Sequence, residues 1–311
     1  MRCVLVSSNL NLRNYLGAEL ARAADHIELV DHSDQGSIAD VRLAVAWHPP
    51  ADAFERYPNL QAVCSIAAGV DNILACPSLR PEVDVIRVVD PTQAQMMSGF
   101  ITWHVIGHQR QFPAYRAQQR DQIWRRLSQR RAQDVPVGIL GFGEIGRRVA
   151  GDLALFGFPV MAWSRTAKPA PHGVRSFGGA EGLKAMLDQT EILINLLPLT
   201  PETKGILNRD TFSRMRRGGY LIHVGRGEHL IEADLLAALE TGQLAGAALD
   251  VFATEPLPRE HTFWRHPDIL ITPHDASDVS MQAIGATFRA TAEAIQAGRR
   301  PPNAIDRERG Y

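Results

Sequence analysis

Cysteine is scarce in this chain. Its 311 residues include only Cys3, Cys64 and Cys76, and none of these belongs to a Cys-x-x-Cys pair. An odd number of widely spaced cysteines argues against a disulfide framework and favours a reducing compartment, so we expect a cytoplasmic protein. Cys3 and Cys64 lie in apolar runs, where a thiol usually acts as a small buried hydrophobic group. No histidine pair at helical spacing has a cysteine or carboxylate partner, so no metal site is predicted.

The chain also lacks an excess of either charge and any long apolar run. Its formal net charge is −1 at pH 7, which gives no field to attract nucleic acid or an anionic membrane. The short basic cluster at 125–131 is best explained as a solvated or subunit-facing surface. No apolar run approaches the ~18 residues of a membrane span, and the first residues enter a strand pattern without a signal-peptide segment. We therefore expect neither nucleic-acid nor membrane partners.

Short apolar segments alternate with helical ones, which is typical of parallel sheets covered on both faces. The first hundred residues predict five strands, at Arg2–Ser7, Ile27–Val30, Leu43–Trp47, Ala62–Ile66 and Val85–Val89. A second series predicts six, at Val137–Leu140, Val160–Trp163, Ile192–Leu196, Tyr220–Val224, Gly246–Val251 and Ile269–Thr272. A helical stretch from 93 toward 124 is interrupted at Pro113. A final helix at 280–297 is expected to return to the first domain.

This organisation predicts two doubly wound α/β domains. A discontinuous, flavodoxin-like domain would comprise residues 1–100 and 277–311, and a Rossmann domain would comprise residues 101–276. The Rossmann assignment depends on the glycine motif 141–146, which has the spacing Gly-x-Gly-x-x-Gly directly after an apolar strand and before a helix. Gly141 permits the tight turn, Gly143 lets the backbone approach a pyrophosphate, and Gly146 lets helix pack on strand. The free N–H groups of the helix N-terminus complete a phosphate site.

The segment after the next strand carries no carboxylate. An NAD site usually has Asp or Glu there, about 20 residues after the glycines, to bind the ribose 2′-hydroxyl. Here the strand end continues into Ser164, Arg165, Thr166 and Lys168. The two cations can pair with a 2′-phosphate, and the two hydroxyls can hydrogen-bond to it. The sequence therefore predicts NADPH over NADH, with NADH still possible.

Three ionisable side chains follow strand-like runs near the end of the chain: Arg226, Glu255 and His274. Because ligands of open α/β sheets bind at the carboxyl ends of the strands, these side chains can meet. Reduction of a keto acid needs a cation that holds the carboxylate and polarises the carbonyl, and Arg226 suits both tasks. It also needs a proton donor, and His274 has a reference pKa of ~6.5 that a neighbouring Glu255 would raise. The pattern predicts hydride transfer between a nicotinamide and a small keto or hydroxy acid.

At these motifs the chain resembles the D-2-hydroxyacid dehydrogenases, and it is most similar to their glyoxylate/hydroxypyruvate reductase branch. The segments that carry the resemblance are Trp47–Pro50, Ala68–Asp71, Trp163–Thr166, Asn195–Pro198, Pro201–Thr203, Asp250–Pro258 and the tail Asp306–Tyr311. The resemblance is strongest over 137–274 and weak over 93–134. It implies a two-domain fold with the active cleft between the domains, and a homodimer built through the cofactor domain.

The resemblance also assigns roles to individual residues. Arg226 would bind the substrate, Glu255 would support His274, and His274 would donate the proton. Backbone amides of Ala68, Gly69 and Val70 would hold the substrate carboxylate. The Trp47 indole would line the pocket. Cofactor contacts are implied along the glycine turn and the later loops, at Gly141, Gly143, Glu144, Ile145, Gly146, Leu197, Pro198, Thr203, Val224, Gly225, Asp250 and Ala276, with Asp250 on the nicotinamide amide.

The chain departs from the family pattern at two points near these residues. Gly225 precedes Arg226 where much of the family has Ala, and Asp275 adds a negative charge beside His274. These departures bear on the choice of substrate, so another 2-keto acid remains an alternative. A formate dehydrogenase-like activity is disfavoured because such enzymes carry Gln where Glu255 stands. A dinucleotide-sensing binding protein is a further alternative. Such a protein would bind the dinucleotide tightly with little turnover, which would distinguish it from an enzyme.

Overall fold

The computed structural model describes residues 1–34, 36 and 38–307, and it divides the chain into two compact units. The first unit comprises residues 1–92 and the segment from 278 onward, and the second comprises residues 93–277. The sequence places these divisions at 100/101 and 276/277. Residues 308–311 lie outside the described part of the chain, and with them Tyr311 and most of the tail that contributes to the family resemblance.

The first unit contains a parallel sheet in the order β2-β1-β3-β4-β5. This is the flavodoxin-like order that the sequence predicts. The strands are β1 (Arg2–Ser7), β2 (Glu28–Asp31), β3 (Val41–Trp47), β4 (Ala62–Ser65) and β5 (Asp84–Ile86), and the helices are α1 (Leu12–Ala23), α2 (Asp71–Leu74) and, from the end of the chain, α9 (Met281–Gln296). The central strands are buried because both faces of the sheet are covered.

Helix α9 returns to the first unit, as predicted. Ser280 caps its N-terminus, since the side-chain oxygen accepts a hydrogen bond from the Ala283 N–H at 3.2 Å. Its apolar side joins the core that α1 and the sheet form, with Phe288 completely buried. The end of the chain therefore stabilises the fold of its beginning.

The second unit contains a seven-stranded parallel sheet in the order β12-β11-β10-β9-β6-β7-β8. The strands are β6 (Val137–Leu140), β7 (Val160–Ser164), β8 (Val174–Gly178), β9 (Ile192–Asn195), β10 (Gly219–His223), β11 (Leu244–Leu249) and β12 (Ile269–Ile271). Six of them form the Rossmann order, and the order in which successive strands are added reverses between β6 and β9, where ligands of such sheets bind. The sequence does not predict β8, because this edge strand is only partly buried and lacks a continuous apolar run.

The helices of the second unit are α3 (Pro91–Gln109), α4 (Phe112–Arg120), α5 (Glu144–Leu155), α6 (Gly179–Leu187), α7 (Arg209–Arg214) and α8 (Glu232–Glu240). The predicted interruption near Pro113 is the break between α3 and α4. There Gln111 adopts a left-handed φ of 57°, and Pro113 occupies the first turn of α4, where its missing N–H leaves no hydrogen bond broken.

Part of the basic cluster at 125–131 is not a solvated surface. The Arg130 guanidinium forms a two-point ion pair with the buried Glu191, whose Oε2 lies 2.7 Å from Arg130 Nη2. The His108 ring also contacts the Glu191 carboxylate, at 3.1 Å. Burial alone would raise the pKa of Glu191, but the hydrogen bonds from His108 and Arg130 lower it to about 2. The interaction ties α3 and the segment after α4 to the start of β9.

Candidate active site

Arg226 lies in the turn that follows β10, and Gly227 lets this turn approach the segment after β11. A Cβ atom at position 227 would overlap the backbone of Phe252 and Ala253. Only glycine permits this approach, which brings the Arg226 turn against the loop that carries Glu255. The Arg226 guanidinium is partly buried, and its Nη1 donates a hydrogen bond to the Gly225 carbonyl at 2.8 Å.

Glu255 is held at both carboxylate oxygens. Its Oε1 accepts a hydrogen bond from the Phe252 N–H at 2.9 Å, which folds the loop back on itself. Its Oε2 lies 2.9 Å from His274 Nδ1. Because a carboxylate can only accept, His274 donates its Nδ1 proton to Glu255. The other ring nitrogen, Nε2, is then the one available to a substrate.

The segment that carries His274 is fixed by Asp250. The buried Asp250 carboxylate accepts three hydrogen bonds from it: from Thr272 Oγ1 at 2.6 Å, from the Asp275 N–H at 2.9 Å and from the Ala276 N–H at 3.1 Å. The His274 N–H donates to the Asp250 carbonyl at 2.8 Å. Asp250 thus orients the His274 loop, and the contact with a nicotinamide amide that the sequence predicts for it stays a prediction.

The charges of these groups influence one another. The hydrogen bond to Glu255 raises the pKa of His274 above its ordinary value, outweighing its partial burial and the positive charge of Arg226. Burial by itself would raise the pKa of Glu255, but the hydrogen bonds from His274 and the Phe252 N–H and the charge of Arg226 lower it. The carboxylate therefore keeps the imidazolium charged to a higher pH than in a free histidine, and the charged imidazolium is the state that a proton donor requires.

The glycine motif forms a cradle at the switch point of the sheet. Gly141 adopts a φ of 102°, and a Cβ there would lie 2.8 Å from the Leu196 carbonyl oxygen. A Cβ at Gly146 would overlap the Gly141 carbonyl oxygen, so this glycine lets α5 pack against the turn. By contrast, a Cβ at Gly143 would meet nothing within 4 Å. This open space lies at the N-terminus of α5, whose first residues are Glu144 and Ile145, and it fits a pyrophosphate.

The segment after β7 is arranged around two cations. Arg165 is exposed, whereas the Lys168 ammonium reaches back to the glycine motif and donates to the Phe142 carbonyl at 3.2 Å. Lys168 thus joins the phosphate cradle to the segment predicted to bind a 2′-phosphate. Ser164 is buried, and its hydroxyl donates to the Thr166 carbonyl at 2.8 Å, so it shapes the loop. Thr166 is exposed on the same loop.

The loop after β9 is built on its own hydrogen bonds. Thr203 Oγ1 donates to the Pro198 carbonyl at 2.8 Å and accepts from the Thr200 N–H at 2.8 Å. Leu197 is buried in the core below. Val224 and Ala276, also predicted to contact the cofactor, are buried in a second core cluster of this unit.

The sequence does not predict a buried cluster of three polar side chains next to the Arg226 turn: Asn195, His223 and His229. In the sequence His223 and His229 are isolated histidines, but the structure brings both against Asn195: Asn195 Nδ2 lies 3.2 Å from His223 Nδ1 and 3.0 Å from His229 Nδ1. Both rings are completely buried. Burial is the main cause that lowers the pKa of His223 to about 3, so its ring is neutral. The signal available in the sequence is that Asn195 and His223 end two neighbouring strands, as the register Asn195–His223 confirms.

The predicted substrate-binding residues of the first unit lie at the carboxyl ends of its own strands. Trp47 ends β3 and packs edge-on against His48. The loop after β4 is shaped by Ser65, whose hydroxyl donates to the Gly69 carbonyl at 2.9 Å and accepts from the Ala67 N–H at 3.1 Å. Ala68, Gly69 and Val70 follow in this loop, directly before α2.

Within the described ranges, no group of three His, Cys, Asp or Glu side chains is arranged to hold a metal ion. No helix in the part of the chain that the structure describes is both long enough and apolar enough to span a membrane.

The second unit defines a class of protein. A Rossmann sheet with an open phosphate cradle, and a carboxylate-supported histidine close to an arginine, are the parts of a nicotinamide-dependent oxidoreductase. Comparison of sequences gives the family. The pattern described as D-isomer specific 2-hydroxyacid dehydrogenase, NAD binding domain, matches residues 102–276. The chain belongs to the D-isomer specific 2-hydroxyacid dehydrogenase family.

Individual relatives agree with this assignment. Glyoxylate/hydroxypyruvate reductase A of Serratia proteamaculans is 45% identical over 273 residues, which cover 86% of this chain and 87% of the relative. A D-isomer specific 2-hydroxyacid dehydrogenase of Xanthobacter autotrophicus, solved with NADPH and MES, is 36% identical with a TM-score of 0.93 over 100% of this chain and 99% of that one. The NADPH-dependent glyoxylate/hydroxypyruvate reductase of Sinorhizobium meliloti, solved with NADP and sulfate, is 37% identical with a TM-score of 0.91 over the same shares.

Proposed function

We propose that this chain is an NADPH-dependent reductase of small 2-keto acids, with glyoxylate and hydroxypyruvate as substrates. The observation that carries the proposal is the hydrogen bond between His274 Nδ1 and Glu255 Oε2, formed beside the Arg226 turn in a dinucleotide-binding unit. The names of the relatives at 40–45% identity support the choice of substrates.

The residues of the chain supply binding and the proton. Arg226 binds the substrate carboxylate and polarises the neighbouring carbonyl with its planar, permanently charged guanidinium. The bound nicotinamide would supply the hydride to the carbonyl carbon. His274 then gives its Nε2 proton to the carbonyl oxygen, while its other proton stays on Nδ1, where the hydrogen bond to Glu255 fixes the ring. The keto acid gains one hydride and one proton and becomes a 2-hydroxy acid. The backbone amides of Ala68–Val70 are proposed as further ligands of the carboxylate.

Arg165 and Lys168 support NADPH as the preferred cofactor. They follow the strand where an NAD enzyme usually has a carboxylate, and Lys168 already contacts the glycine motif. A dianionic 2′-phosphate would gain charge-assisted hydrogen bonds there, whereas a 2′-hydroxyl would gain much less.

The test is to follow loss of the reduced nicotinamide absorbance with purified protein, NADPH or NADH, and glyoxylate, hydroxypyruvate or pyruvate. We expect turnover with NADPH that His274→Ala reduces by ~10²-fold or more, the usual contribution of a general acid. His26→Ala, which alters an exposed histidine in the first unit, is the matched control. Tight dinucleotide binding without turnover of any keto acid would contradict the proposal and favour a sensing protein.

We also propose that the protein is a homodimer. Five large apolar side chains are exposed on α3, at the start of α4 and just after it: Met96, Trp103, Phe112, Ile123 and Trp124. Trp124 is 98% exposed, which is unusual for an indole and typical of a surface that another protein covers. A second copy of the chain is the occupant we propose, because an isologous contact would let the same apolar surface cover itself.

Light scattering with size-exclusion chromatography tests this proposal. Trp124→Ala is expected to shift the protein toward a monomer at low micromolar concentration. Trp264→Ala is the control, since Trp264 is another exposed indole of the second unit but lies just before β12, outside α3, α4 and the segment after them. A wild-type monomer would overturn the proposed homodimer, and an unchanged dimer in both variants would overturn the proposal that the surface around Trp124 forms the contact. A cytoplasmic location is proposed as well, supported by three free, buried cysteines.

A further inference from the structure

His229 joins the Arg226 turn to the loop after β9. Its Nδ1 accepts a hydrogen bond from the Arg226 N–H at 3.1 Å, and its Nε2 lies 3.2 Å from the Pro198 carbonyl oxygen. The ring is completely buried. One side chain therefore contacts both the backbone of the proposed substrate-binding arginine and a loop that the sequence predicts to bind the dinucleotide.

The two hydrogen bonds fix where the His229 proton lies. A backbone N–H can only donate, so His229 Nδ1 must be the unprotonated nitrogen. A carbonyl oxygen can only accept, so the Nε2 proton points to Pro198. The ring is thus held as a single tautomer, with an acceptor toward Arg226 and a donor toward the loop.

The surroundings allow the His229 ring little freedom. The Asn195 amide donates to the same Nδ1 at 3.0 Å, and Asn195 Oδ1 in turn accepts from the Leu197 N–H at 3.3 Å. A Cβ at Gly225 would lie 2.9 Å from His229 Nδ1 and 2.8 Å from Asn195 Nδ2, closer than real Cβ contacts. Glycine at position 225 lets the turn lie directly on this pair.

We propose that His229 is a positioning residue for the keto-acid reaction: it orients the Arg226 turn and ties it to the Pro198 loop. The inference rests on the proposed function, because Arg226 is the group through which His229 acts. Because His229 is completely buried, its proposed action is through the Arg226 turn and the Pro198 loop, without contact to the substrate or the transferred proton.

Two variants separate the acceptor from the shape of the ring. His229→Phe keeps the size but leaves the Arg226 N–H without its acceptor. His229→Asn places an oxygen near the Nδ1 position and restores an acceptor. A misplacement on the order of 1 Å costs about 10²-fold in rate, so His229→Phe is expected to lower kcat/KM for glyoxylate by ~10- to 100-fold, with His229→Asn much closer to wild type. His229→Gln, which reaches toward Pro198 but offers no acceptor at Nδ1, gives the same test if the Phe variant does not fold.

A double-mutant cycle with Arg226→Ala shows whether His229 acts through Arg226. We expect His229→Phe to change kcat/KM far less in the Arg226→Ala background than in wild type. The pH at which reduction declines should stay where it is in wild type, since His274 is unaltered. Unchanged kinetics in both the Phe and Gln variants, or an equal loss in both backgrounds, would overturn the proposal. An Arg226→Ala variant with wild-type KM for glyoxylate would instead overturn the proposed role of Arg226.

Discussion

Substitution of Gly227 by alanine tests how the active site is assembled. The added methyl group would overlap three backbone atoms of Phe252 and Ala253, although carbon atoms normally approach no closer than 3.4 Å. No side-chain rotation can relieve an overlap with backbone, so the two segments must separate. The Phe252 N–H donates a hydrogen bond to Glu255, and Glu255 accepts one from His274. Separation of the two segments would therefore displace the proton donor His274.

A displacement on the order of 1 Å is enough to cost about 10²-fold in rate. We therefore expect Gly227→Ala to lower kcat for glyoxylate reduction by roughly this factor, with little change in the affinity for NADPH, because the glycine cradle at 141–146 is untouched. Steady-state kinetics measure the first quantity and fluorescence titration of NADPH the second.

Gly151→Ala is the matched control, because Gly151 lies on α5 and a Cβ there would meet nothing within 4 Å. Alanine is favoured over glycine within a helix by up to ~1 kcal/mol, so this variant should be fully active and slightly more stable. A Gly227→Ala enzyme with wild-type kcat would refute the idea that close contact between the two turns sets the geometry.

Three further predictions follow from the charges. Glu255→Gln removes the carboxylate that raises the pKa of His274, so the pH above which reduction declines should move to a lower value, as rate–pH profiles would reveal. Arg165→Ala should raise the KM for NADPH by ~10-fold or more, the worth of one charged hydrogen bond, and leave that for NADH nearly unchanged; equal losses would contradict the assignment. The lowered pKa of Glu191 stabilises the folded protein above the ordinary pKa of a glutamate, and this contribution is lost as the pH falls toward about 2. Chemical denaturation should find Glu191→Gln less stable at pH 7, with a smaller difference at pH 3.

The candidate site residues that the sequence predicts are those whose position follows from a strand. Arg226, Glu255 and His274 each lie past a buried apolar run, and the rule that ligands bind at the carboxyl ends of parallel strands brings them together without knowledge of the loops. The hydrogen bond between Glu255 and His274 is the detailed outcome of that rule.

The features that the sequence does not predict depend on side-chain packing or lie at the exposed edge of the sheet. Strand β8 lies at the sheet edge and none of its five residues is fully buried, so its sequence contains no continuous apolar run. His229 is separated from Asn195 by 34 positions, and only the loop geometry aligns its ring with the Arg226 N–H. The three hydrogen bonds of Asp250 are likewise invisible in the sequence, since two of their donors are backbone groups.

The backbone at His274 has a consequence for the stability of the molecule. In the described part of the chain, five residues other than glycine adopt a left-handed φ, and two of them are histidines that come just after strands, His48 at 43° and His274 at 56°. Such a conformation costs of order 1–3 kcal/mol for a residue with a side chain. Selection for stability alone would place glycine at position 274. The histidine there means that the chain has given up part of its stability to hold an acid where the chemistry needs it, so stabilising substitutions at this position should lower turnover as strongly as His274→Ala.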